Sequence, residues 1–340
     1  MVRVGIVNVT GYAGAETARL LARHPEVRLV AATGRSGAGQ PLGDVFPHLA
    51  DLDLAVQEDL PDVDVAFSAL PHHASAEIIP RLVERGQRVV DISADYRLHD
   101  VALYERWYGQ HPSPELLAEA PYGLPELHAP RIASARLVAN PGCYPTAAIL
   151  GLAPVADVVE PHVIVDAKSG VSGAGRSLSL TTHYCEINEN CHAYGLNGHR
   201  HLPEMEQELN ALRAARRGDG AALEVTFVPH LLPMTRGILA TCYARLENGW
   251  SQARLSGHYR EYYRAAPFVR VVDAPPQTKH TLGTNVCLIY PKVDERTGRL
   301  VVVSCIDNLV KGAAGQAVQN MNLMLGLPEV VGLDGPALYP

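Results

Sequence analysis

The first 140 residues alternate short apolar runs with amphipathic stretches. An apolar run at residues 3–9 precedes an amphipathic stretch at 13–23, and a second apolar run follows at 27–33. Short, continuously apolar strands separated by helices are typical of a parallel sheet that is buried on both faces. The other predicted elements of this part are strands at 64–70, 88–93 and 137–140 and a helix at 76–85. The pattern predicts an α/β domain over residues 1–142.

The pattern changes after about residue 145. A predicted helix at 146–155 leads into a strand at 162–166. The later strand-like runs lie at 224–230, 237–245, 269–272, 286–293 and 300–306, with few helices between them. This order favours a mixed, largely antiparallel sheet in a second, α+β domain over residues 143–308. An apolar helix at 309–325, ended by Gly326 and Pro328, closes the chain.

Composition and charge exclude several classes of protein. The chain has 340 residues, of which 47% are hydrophobic and 19% charged, so we expect two folded domains rather than disorder. A net charge of −7 argues against nucleic acid or an anionic membrane as a partner. The sequence shows no apolar run of the ~18 residues that a membrane span needs, and its first residues lack the features of a signal peptide. We therefore expect a cytoplasmic protein.

Glycines stand where the first strand passes into the first helix. Gly11 and Gly14 occupy two positions of a GxxGxxG turn, and Asn8 stands where the first glycine would be. Such a turn lets the backbone approach a pyrophosphate at a helix N-terminus. Asn8 can adopt the left-handed conformation, at a cost that glycine avoids. Strand-to-helix turns also use glycine for packing alone, but the βαβ context indicates a Rossmann-type dinucleotide-binding domain.

The loop after the second strand bears on the choice of dinucleotide. NAD-binding proteins usually place an acidic residue there against the ribose 2′-hydroxyl, whereas this chain has Arg35 and Ser36. Arg35 could pair with a 2′-phosphate and Ser36 could hydrogen-bond it, which favours NADP. The alternative is an arginine in a solvated loop.

Cys143 is the candidate nucleophile. A strand ends at Asn140, a Pro-Gly bend follows, and Pro145 suits the first position of a helix, so we expect Cys143 just before a helix N-terminus. The positive end of the helix lowers the pKa of a thiol, and its N–H groups could hold an oxyanion. The alternative is a buried structural cysteine. We interpret Cys242, Cys287 and Cys305 as buried structural cysteines, because they lie inside apolar strand-like runs.

A general acid or base for this thiol is available in the segment 198–204. Imidazole titrates near neutral pH, so His199 or His201 could transfer protons. Arg200 could bind a carboxylate or phosphate. The same residues also fit the start of a helix, with Pro203 in its first turn and Glu204 favouring the dipole.

Three further features are weaker candidates. A zinc site made of the two histidines with Cys185 and Cys191 lacks metal-ligand spacing, so we predict no metal. Arg97 follows the carboxyl end of a predicted parallel strand, where ligands of such sheets bind. Arg176 ends a loop of small residues at 169–175. The backbone of this loop could approach a ligand closely, or the loop is a flexible connector.

Taken together, these motifs resemble the N-acetyl-γ-glutamyl-phosphate reductases, which are relatives of the aspartate-semialdehyde dehydrogenases. The resemblance covers essentially the whole chain. It rests on TGYAGAE at 10–16, VFPHL at 45–49, ALPH at 69–72, DISADYRL at 91–98, APYGLPEL at 120–127, NPGCYPTA at 140–147, KSGVSGAGR at 168–176, the segment 183–209, RGIL at 236–239, and IDNLVKGAAGQAVQNMN at 306–322.

The resemblance implies a phosphorylating, aldehyde-forming oxidoreductase of arginine biosynthesis. Cys143 would attack the acyl phosphate of N-acetyl-γ-glutamyl phosphate to form a thioester, which NADPH reduces to the semialdehyde. His201 is the preferred acid/base and His199 the alternative. The residues expected to hold the substrate are Arg97, Arg200 and Glu204.

The resemblance also implies a cofactor site and an assembly. The expected NADP(H)-binding residues are Thr10, Gly11, Tyr12, Ala13, Gly14, Arg35, Ser36, Leu70, Pro71, Ser172, Gly173 and Asn308. Among them, Asn308 matches the position that holds the nicotinamide carboxamide. Residues 309–340 would return to complete the first domain, and such enzymes are usually homotetramers. Asn8 departs from the family pattern, where glycine is expected.

Two alternatives remain at this point. One is the parallel reductase of lysine biosynthesis, whose aminoadipyl phosphate is carried on a small acidic protein. That enzyme should present a basic surface and a Gly-Ala-Gly-Cys-Asn turn, and this chain has neither. The other alternative is a nucleotide-sensing module without catalysis, in which Cys143 would be dispensable.

Overall fold

Two compact units make up the chain in a computed structural model that describes residues 1–218, 221–247 and 249–339. Unit 1 comprises Met1–Pro141 and Ala313–Gly335. Unit 2 comprises Gly142–Gly312 and the C-terminal residues from Pro336 onward.

Unit 1 is built on a six-stranded sheet in which each neighbouring pair of strands is parallel. Its strands are β1 (Val2–Val7), β2 (Val27–Thr33), β3 (Val56–Gln57), β4 (Val65–Ser68), β5 (Arg88–Asp91) and β6 (Leu137–Ala139), in the order β3-β2-β1-β4-β5-β6. Its helices are α1 (Tyr12–Leu21), α2 (Leu42–Val45), α3 (Ala74–Glu84), α4 (Val101–Tyr108) and α5 (Pro125–Ser134). This strand order confirms the predicted Rossmann-type fold.

Unit 2 contains a seven-stranded mixed sheet. Its strands are β7 (His162–Gly170), β8 (His192–Ala193), β9 (Glu224–Leu232), β10 (Ile238–Arg245), β11 (Val269–Val271), β12 (Cys287–Asp294) and β13 (Arg299–Ile306), in the order β11-β12-β13-β10-β7-β9-β8. Its helices are α6 (Cys143–Leu152), α7 (Tyr184–Ile187), α8 (Leu202–Arg217) and α9 (Gln252–Tyr262). The pairs β7–β9 and β11–β12 are parallel and the other four are antiparallel, which confirms the predicted mixed, largely antiparallel sheet.

The two faces of this mixed sheet differ in burial. On one face, Gly151 of α6 lies so close that an added Cβ would be 3.6 Å from Val302 Cγ1 and 3.8 Å from Cys242 Sγ. The residues that alternate with these stay partly exposed. They form what we call the open face: Ile164, Thr241, Tyr243, Tyr290, Val301 and Val303.

Several element boundaries differ from the predicted ones. Helix α6 begins at Cys143 rather than at Pro145, because Gly142 already has extended dihedral angles and caps the helix. Strand β7 continues to Gly170, since it pairs with β9 along its whole length. The predicted closing helix is divided into a π-helical turn (Val310–Ala314) and α10 (Gly315–Met324). Helices α2, α4, α5, α7 and α9 and the two-residue strands β3 and β8 were not among the predicted elements.

A buried polar network lies at the carboxyl ends of β4 and β5. Asp91 accepts hydrogen bonds from Ser75 Oγ (2.6 Å), from Ser93 N (3.0 Å) and from Ser93 Oγ (2.7 Å). Asp95 accepts from the backbone N–H groups of His73 and Ala76, both at 2.9 Å, at the start of α3. Buried carboxylates need such partners, and these bonds fix the segment that carries Arg97.

Burial, and then the neighbouring Asp95, raises the pKa of Asp91 from 3.8 to about 6. The folded state therefore binds this proton more tightly than the unfolded state does. The resulting stability is complete below about pH 4 and is lost as the pH rises through about 6. The full effect corresponds to about 3 kcal/mol.

We expect Asp91→Asn to remove this pH dependence while keeping the shape of the side chain. The Tm of the variant minus that of the wild type should increase from pH 4 to pH 8, because carboxylates other than Asp91 and its neighbour Asp95 contribute equally to both proteins. Thermal unfolding followed by circular dichroism measures this difference. A difference that does not vary with pH would contradict the raised pKa.

The six cysteines divide by exposure. Cys242, Cys287 and Cys305 are fully buried in strands, as predicted, and burial raises the pKa of Cys242 and Cys305 to about 12. Cys185 and Cys191 are exposed, and Cys143 is partly exposed.

N-ethylmaleimide should therefore modify no cysteine of the native protein beyond Cys143, Cys185 and Cys191, whereas it should modify all six in denaturant. A thiol that is buried and protonated offers neither access nor thiolate. Peptide mass spectrometry identifies the modified positions. Rapid modification of Cys242 in the folded protein would show that this burial is wrong.

Candidate active site

The turn between β1 and α1 has the geometry that a dinucleotide-binding turn needs. Asn8 has a φ of +65°, the left-handed conformation expected where glycine is missing, and its Nδ2 donates to Ala69 O at 2.8 Å. At Gly14, an added Cβ would lie 2.5 Å from Asn8 O and 2.7 Å from Val9 Cα. Only glycine permits this close approach of α1 to the end of β1. Asparagine thus adopts the required turn and adds a hydrogen bond that glycine could not make.

The loop after β2 lies against this turn. Ser36 Oγ donates to Thr10 Oγ1 at 3.0 Å, and a Cβ on Gly34 would lie 2.8 Å from Thr10 Cγ2. Arg35 is exposed beside them. The structure therefore brings the predicted residues of the turn and of the loop together. Leu70 and Pro71 directly follow Ala69, which Asn8 contacts.

These residues fit a dinucleotide. Gly11 caps α1 without a side chain of its own, so the N-terminal N–H groups of the helix face no local capping oxygen. A pyrophosphate binds well to such N–H groups at the positive end of a helix. In NAD-binding proteins an acidic residue after the second strand holds the 2′-hydroxyl of the ribose. Here Arg35 and Ser36 supply a guanidinium and a hydroxyl at that place.

Arg97 is held at the carboxyl ends of two neighbouring strands of unit 1. Its Nε donates to Asn140 O at 2.7 Å, after β6, and its Nη2 donates to Ile92 O at 2.9 Å, after β5. The side chain is buried. A fixed, buried guanidinium is suited to recognition of a carboxylate or a phosphate.

Cys143 is the first residue of α6 in unit 2. Gly142 caps the helix, and Gly142 O accepts from both the backbone N–H and the hydroxyl of Thr146 at 2.9 Å. The π-helical turn approaches Cys143 from another side, because a Cβ on Gly312 would lie 2.7 Å from Cys143 Cβ. The thiol thus sits at the positive end of a helix, where its anionic form is favoured.

Glu204 lies in the first turn of α8 and is fully buried. Its Oε2 accepts a hydrogen bond of 3.1 Å from Gly142 N, immediately before Cys143. Pro203 lies in the first turn of the same helix, as the helix-start interpretation of this segment predicts. The segment 198–201 turns into this helix rather than extending.

The two candidate histidines belong to one aromatic cluster. The rings of His199 and His201 are 4.9 Å apart, and they lie 5.8 Å and 6.0 Å from the ring of Tyr144. Tyr194 and Phe227 also contact the ring of His199. Because Tyr144 follows Cys143 directly, the cluster places both imidazoles next to the start of α6.

The two imidazoles differ in their surroundings. Burial, and then the charge of Arg200, lowers the pKa of His199 to about 4, so this ring is neutral at neutral pH. Its Nδ1 accepts a hydrogen bond of 3.1 Å from His201 N. In the neutral ring the proton is therefore on Nε2, which makes His199 a hydrogen-bond donor at that atom.

The two tyrosines of the aromatic cluster are held by hydrogen bonds. Tyr194 OH donates to Tyr144 OH at 3.1 Å, and Tyr144 OH donates to His230 O at 3.2 Å. His230 Nδ1 lies 3.2 Å from Asp166 Oδ1, and Lys168 Nζ lies 2.8 Å from Asp166 Oδ2. Burial raises the pKa of Tyr194 to about 12, so its phenol stays protonated at neutral pH.

Three predicted cofactor residues meet elsewhere in unit 2. Asn308 Oδ1 accepts from Gly237 N at 2.7 Å, and Asn308 Nδ2 donates to Ser172 Oγ at 2.9 Å. A Cβ on Gly173 would lie 3.7 Å from Asn308 Nδ2. These bonds orient the amide, and its NH2 group has a second hydrogen with which to bind a carboxamide oxygen.

Sequence reasoning did not identify Tyr144, Tyr194 or Gly312 as part of the site. Tyr144 could have been found from its position next to Cys143, and Gly312 from its place in a motif segment. Tyr194 carries no local signal, because only the fold brings it to Tyr144. Arg176 and Arg200 are both exposed.

Metal ligation and membrane crossing find no support in the described part of the chain. Within residues 1–218, 221–247 and 249–339, no group of three His, Cys, Asp or Glu side chains could hold a metal ion. Among the helices described, none is both long enough and apolar enough to cross a bilayer.

Family models and known proteins match both units. Residues 3–135 match the semialdehyde dehydrogenase NAD binding domain, and residues 143–308 match the semialdehyde dehydrogenase dimerisation domain. In three dimensions the chain resembles aspartate semialdehyde dehydrogenase II of Vibrio cholerae, complexed with ASA, with a TM-score of 0.73 at 18% identity over 96% of this chain and 98% of that one. The aspartate semialdehyde dehydrogenase of Candida albicans, solved with NADP, has a TM-score of 0.70 at 17% identity over 96% and 98%. At such identities the likeness concerns the fold.

Sequence similarity is closer to another branch of this fold. The chain is 56% identical over 342 residues to the N-acetyl-gamma-glutamyl-phosphate reductase of Dehalococcoides mccartyi, covering 99% of both chains. It is 51% identical over 352 residues to the enzyme of that name from Geobacter metallireducens, covering 100% of both. The motifs, the fold and these identities agree, and the chain belongs to the N-acetyl-γ-glutamyl-phosphate reductase family.

Proposed function

We propose that this protein reduces N-acetyl-γ-glutamyl phosphate to N-acetylglutamate 5-semialdehyde and phosphate, with NADPH as reductant, in arginine biosynthesis. The observation that carries the proposal is Cys143 at the start of α6, with Gly312 against it and the two histidines packed on Tyr144. Membership of the family supports the substrate.

Cys143 acts as the nucleophile. The positive end of α6 favours its thiolate, which attacks the acyl carbon of the substrate. The carbon–oxygen bond to phosphate then breaks, so that phosphate leaves and a thioester forms on Sγ. When bound, the reduced nicotinamide supplies the hydride that this thioester requires. Breaking the carbon–sulfur bond releases the aldehyde and regenerates the thiol.

We assign the proton transfers to His201. His199 has its Nδ1 engaged with His201 N and its proton on Nε2, so it can donate a hydrogen bond but has no nitrogen ready to accept a proton. His199 then serves best as a donor to a developing oxyanion. Arg97 and Arg200 would hold the anionic groups of the substrate, and a contact of Glu204 with a polar group of the substrate stays a prediction.

We propose NADP(H) as the cofactor of unit 1, which would bind it, while unit 2 carries the catalytic thiol. Arg35 and Ser36 support the phosphorylated form, because they stand beside Thr10 with an exposed cation and a hydroxyl. Thr10, Gly11, Tyr12, Ala13 and Gly14 would surround the pyrophosphate. Within unit 1, Leu70 and Pro71 stay predicted cofactor residues, and within unit 2 the same holds for Ser172, Gly173 and Asn308.

We also propose that the protein assembles as a homotetramer through the open face of unit 2. Ile164 of this face is 41% exposed, and Tyr243 and Val301 lie beside it in register. Neighbouring apolar side chains on the exposed face of a sheet are typical of a subunit interface, and here Asp166 and Lys292 lie beside them on the same face. The match to a dimerisation domain supports the same assignment.

The reductase assignment predicts phosphate-dependent reduction of NADP by N-acetylglutamate 5-semialdehyde. Cys143→Ser should lower this activity by at least about 10³-fold, because a serine hydroxyl is a far weaker nucleophile. Cys185→Ser, which replaces an exposed cysteine, is the matched control and should stay active. Arg35→Ala should reduce the preference for NADP over NAD by about tenfold.

Three outcomes would count against these assignments. A wild-type protein that does not oxidise this aldehyde but oxidises carrier-bound aminoadipate semialdehyde would belong to lysine biosynthesis. Inactivity with both aldehydes would refute the reductase assignment. An unchanged preference in Arg35→Ala would separate Arg35 from the 2′-phosphate.

The open-face interface predicts a change in assembly when a charge is placed at its centre. Val303→Arg should shift the protein to a smaller species in size-exclusion chromatography with light scattering, because its neighbours in register, Thr241 and Tyr290, carry no charge that could pair with a buried guanidinium. Ala215→Arg, on the exposed surface of α8, should leave the mass unchanged. An unaltered mass for Val303→Arg would mean that the interface lies elsewhere.

A further inference from the structure

We propose that Glu204 is a positioning residue for Cys143: its carboxylate joins the start of α8, next to His199 and His201, to the start of α6, where the thiol lies. The inference rests on the proposed function, in which Cys143 is the nucleophile. It gives Glu204 a role that needs no contact with the substrate.

Helix α6 has no capping-box side chain that could accept a hydrogen bond from its cap. In a capping box, the third residue of a helix accepts a hydrogen bond from the backbone N–H of the cap. Here that third residue is Pro145 and the cap is Gly142, so neither side chain can accept. Glu204 replaces the missing acceptor from a different helix, at 3.1 Å.

The carboxylate of Glu204 is buried and lies at the N-terminal ends of two helices. Glu204 has no exposed surface, and a buried carboxylate is costly unless N–H groups or positive charge surround it. It lies in the first turn of α8 and reaches the N-terminus of α6, so the positive ends of two helices stabilise one anion. Displacing either helix would separate the carboxylate from one of these ends.

Gly312 packs closely against Cys143. A Cβ added to Gly312 would lie 2.7 Å from Cys143 Cβ, which is shorter than a normal contact. The π-helical turn fixes Gly312 in this place, because Gly312 N donates to Asp307 O at 3.0 Å. Asp307 in turn accepts from Leu309 N at 2.8 Å and from Val310 N at 3.1 Å. With Gly312 against Cys143 and Glu204 bonded to Gly142, a small shift at either contact moves the sulfur.

The test separates positioning from substrate binding by measuring Cys143 without substrate. Alkylation of Cys143 by iodoacetamide, followed from pH 6 to pH 10 by peptide mass spectrometry, reports the thiol of the free enzyme. Steady-state assays of the full enzyme then give kcat and KM for the aldehyde. A group that only contacts substrate would leave the alkylation profile unchanged.

We expect Glu204→Ala to alkylate Cys143 about tenfold more slowly and to lose about 10²-fold in kcat, with KM within about threefold of wild type, because misplacement by about 1 Å costs this much. Glu204→Gln keeps an acceptor for Gly142 N and should recover kcat to within about tenfold of wild type. Its alkylation midpoint should move to lower pH, because a neutral side chain no longer opposes the thiolate.

Glu208→Gln is the matched control. Glu208 is a buried carboxylate one turn further along α8, and it should show the wild-type alkylation profile. If Glu204→Ala does not fold, Glu204→Gln decides the question. A rise of tenfold or more in KM with an unchanged alkylation profile would overturn the positioning role. An inactive wild type would refute the proposed function instead, while the alkylation arm would still test Glu204.

Discussion

The position of Cys143 depends on how closely two stretches of backbone can approach the start of α6. Gly312 brings the π-helical turn to the Cβ of Cys143, at a distance that any larger residue would prevent. Gly142, the cap of α6, donates its N–H to Glu204. The thiol, the aromatic cluster and the candidate histidines are arranged around this point. Their chemistry depends on small residues that take no part in the reaction.

In both units, buried carboxylates are stabilised by hydrogen-bond donors around them. In unit 1, Asp91 and Asp95 are surrounded by hydroxyl and backbone N–H donors, while in unit 2 Glu204 receives a backbone N–H at a helix end. A carboxylate in such surroundings rigidifies the loops whose N–H groups it accepts, because breaking a bond leaves a buried group unsatisfied. In each unit this rigid segment carries a candidate site residue: Arg97 in one and Cys143 in the other.

The sequence predicts most of the architecture and the chemical identity of the site. Apolar runs predicted the longer strands of both sheets, since burial on both faces or in alternation leaves a strong pattern, whereas the two-residue strands β3 and β8 were missed. The left-handed Asn8 could also be anticipated, because its place in the glycine turn demands that conformation. The start of α6 was missed by two residues, because Pro145 resembles a first helical residue although Gly142 caps the helix. The π-helical turn has no pattern of its own, since it differs from an α-helix by a single inserted residue.

The hydrogen-bond partners of the site residues could not be predicted, because they are far away in the sequence. Glu204 and Gly142 are separated by 62 positions, and nothing local in either segment indicates the other. The same holds for the two histidines, which look equivalent in the sequence. Only the structure shows that His199 Nδ1 accepts from the backbone and that burial lowers the pKa of its ring to about 4. A ring held neutral in this way keeps one fixed proton on Nε2 across the physiological range. Two adjacent imidazoles can therefore divide the work, one as a constant donor and the other as the group that gains and loses a proton.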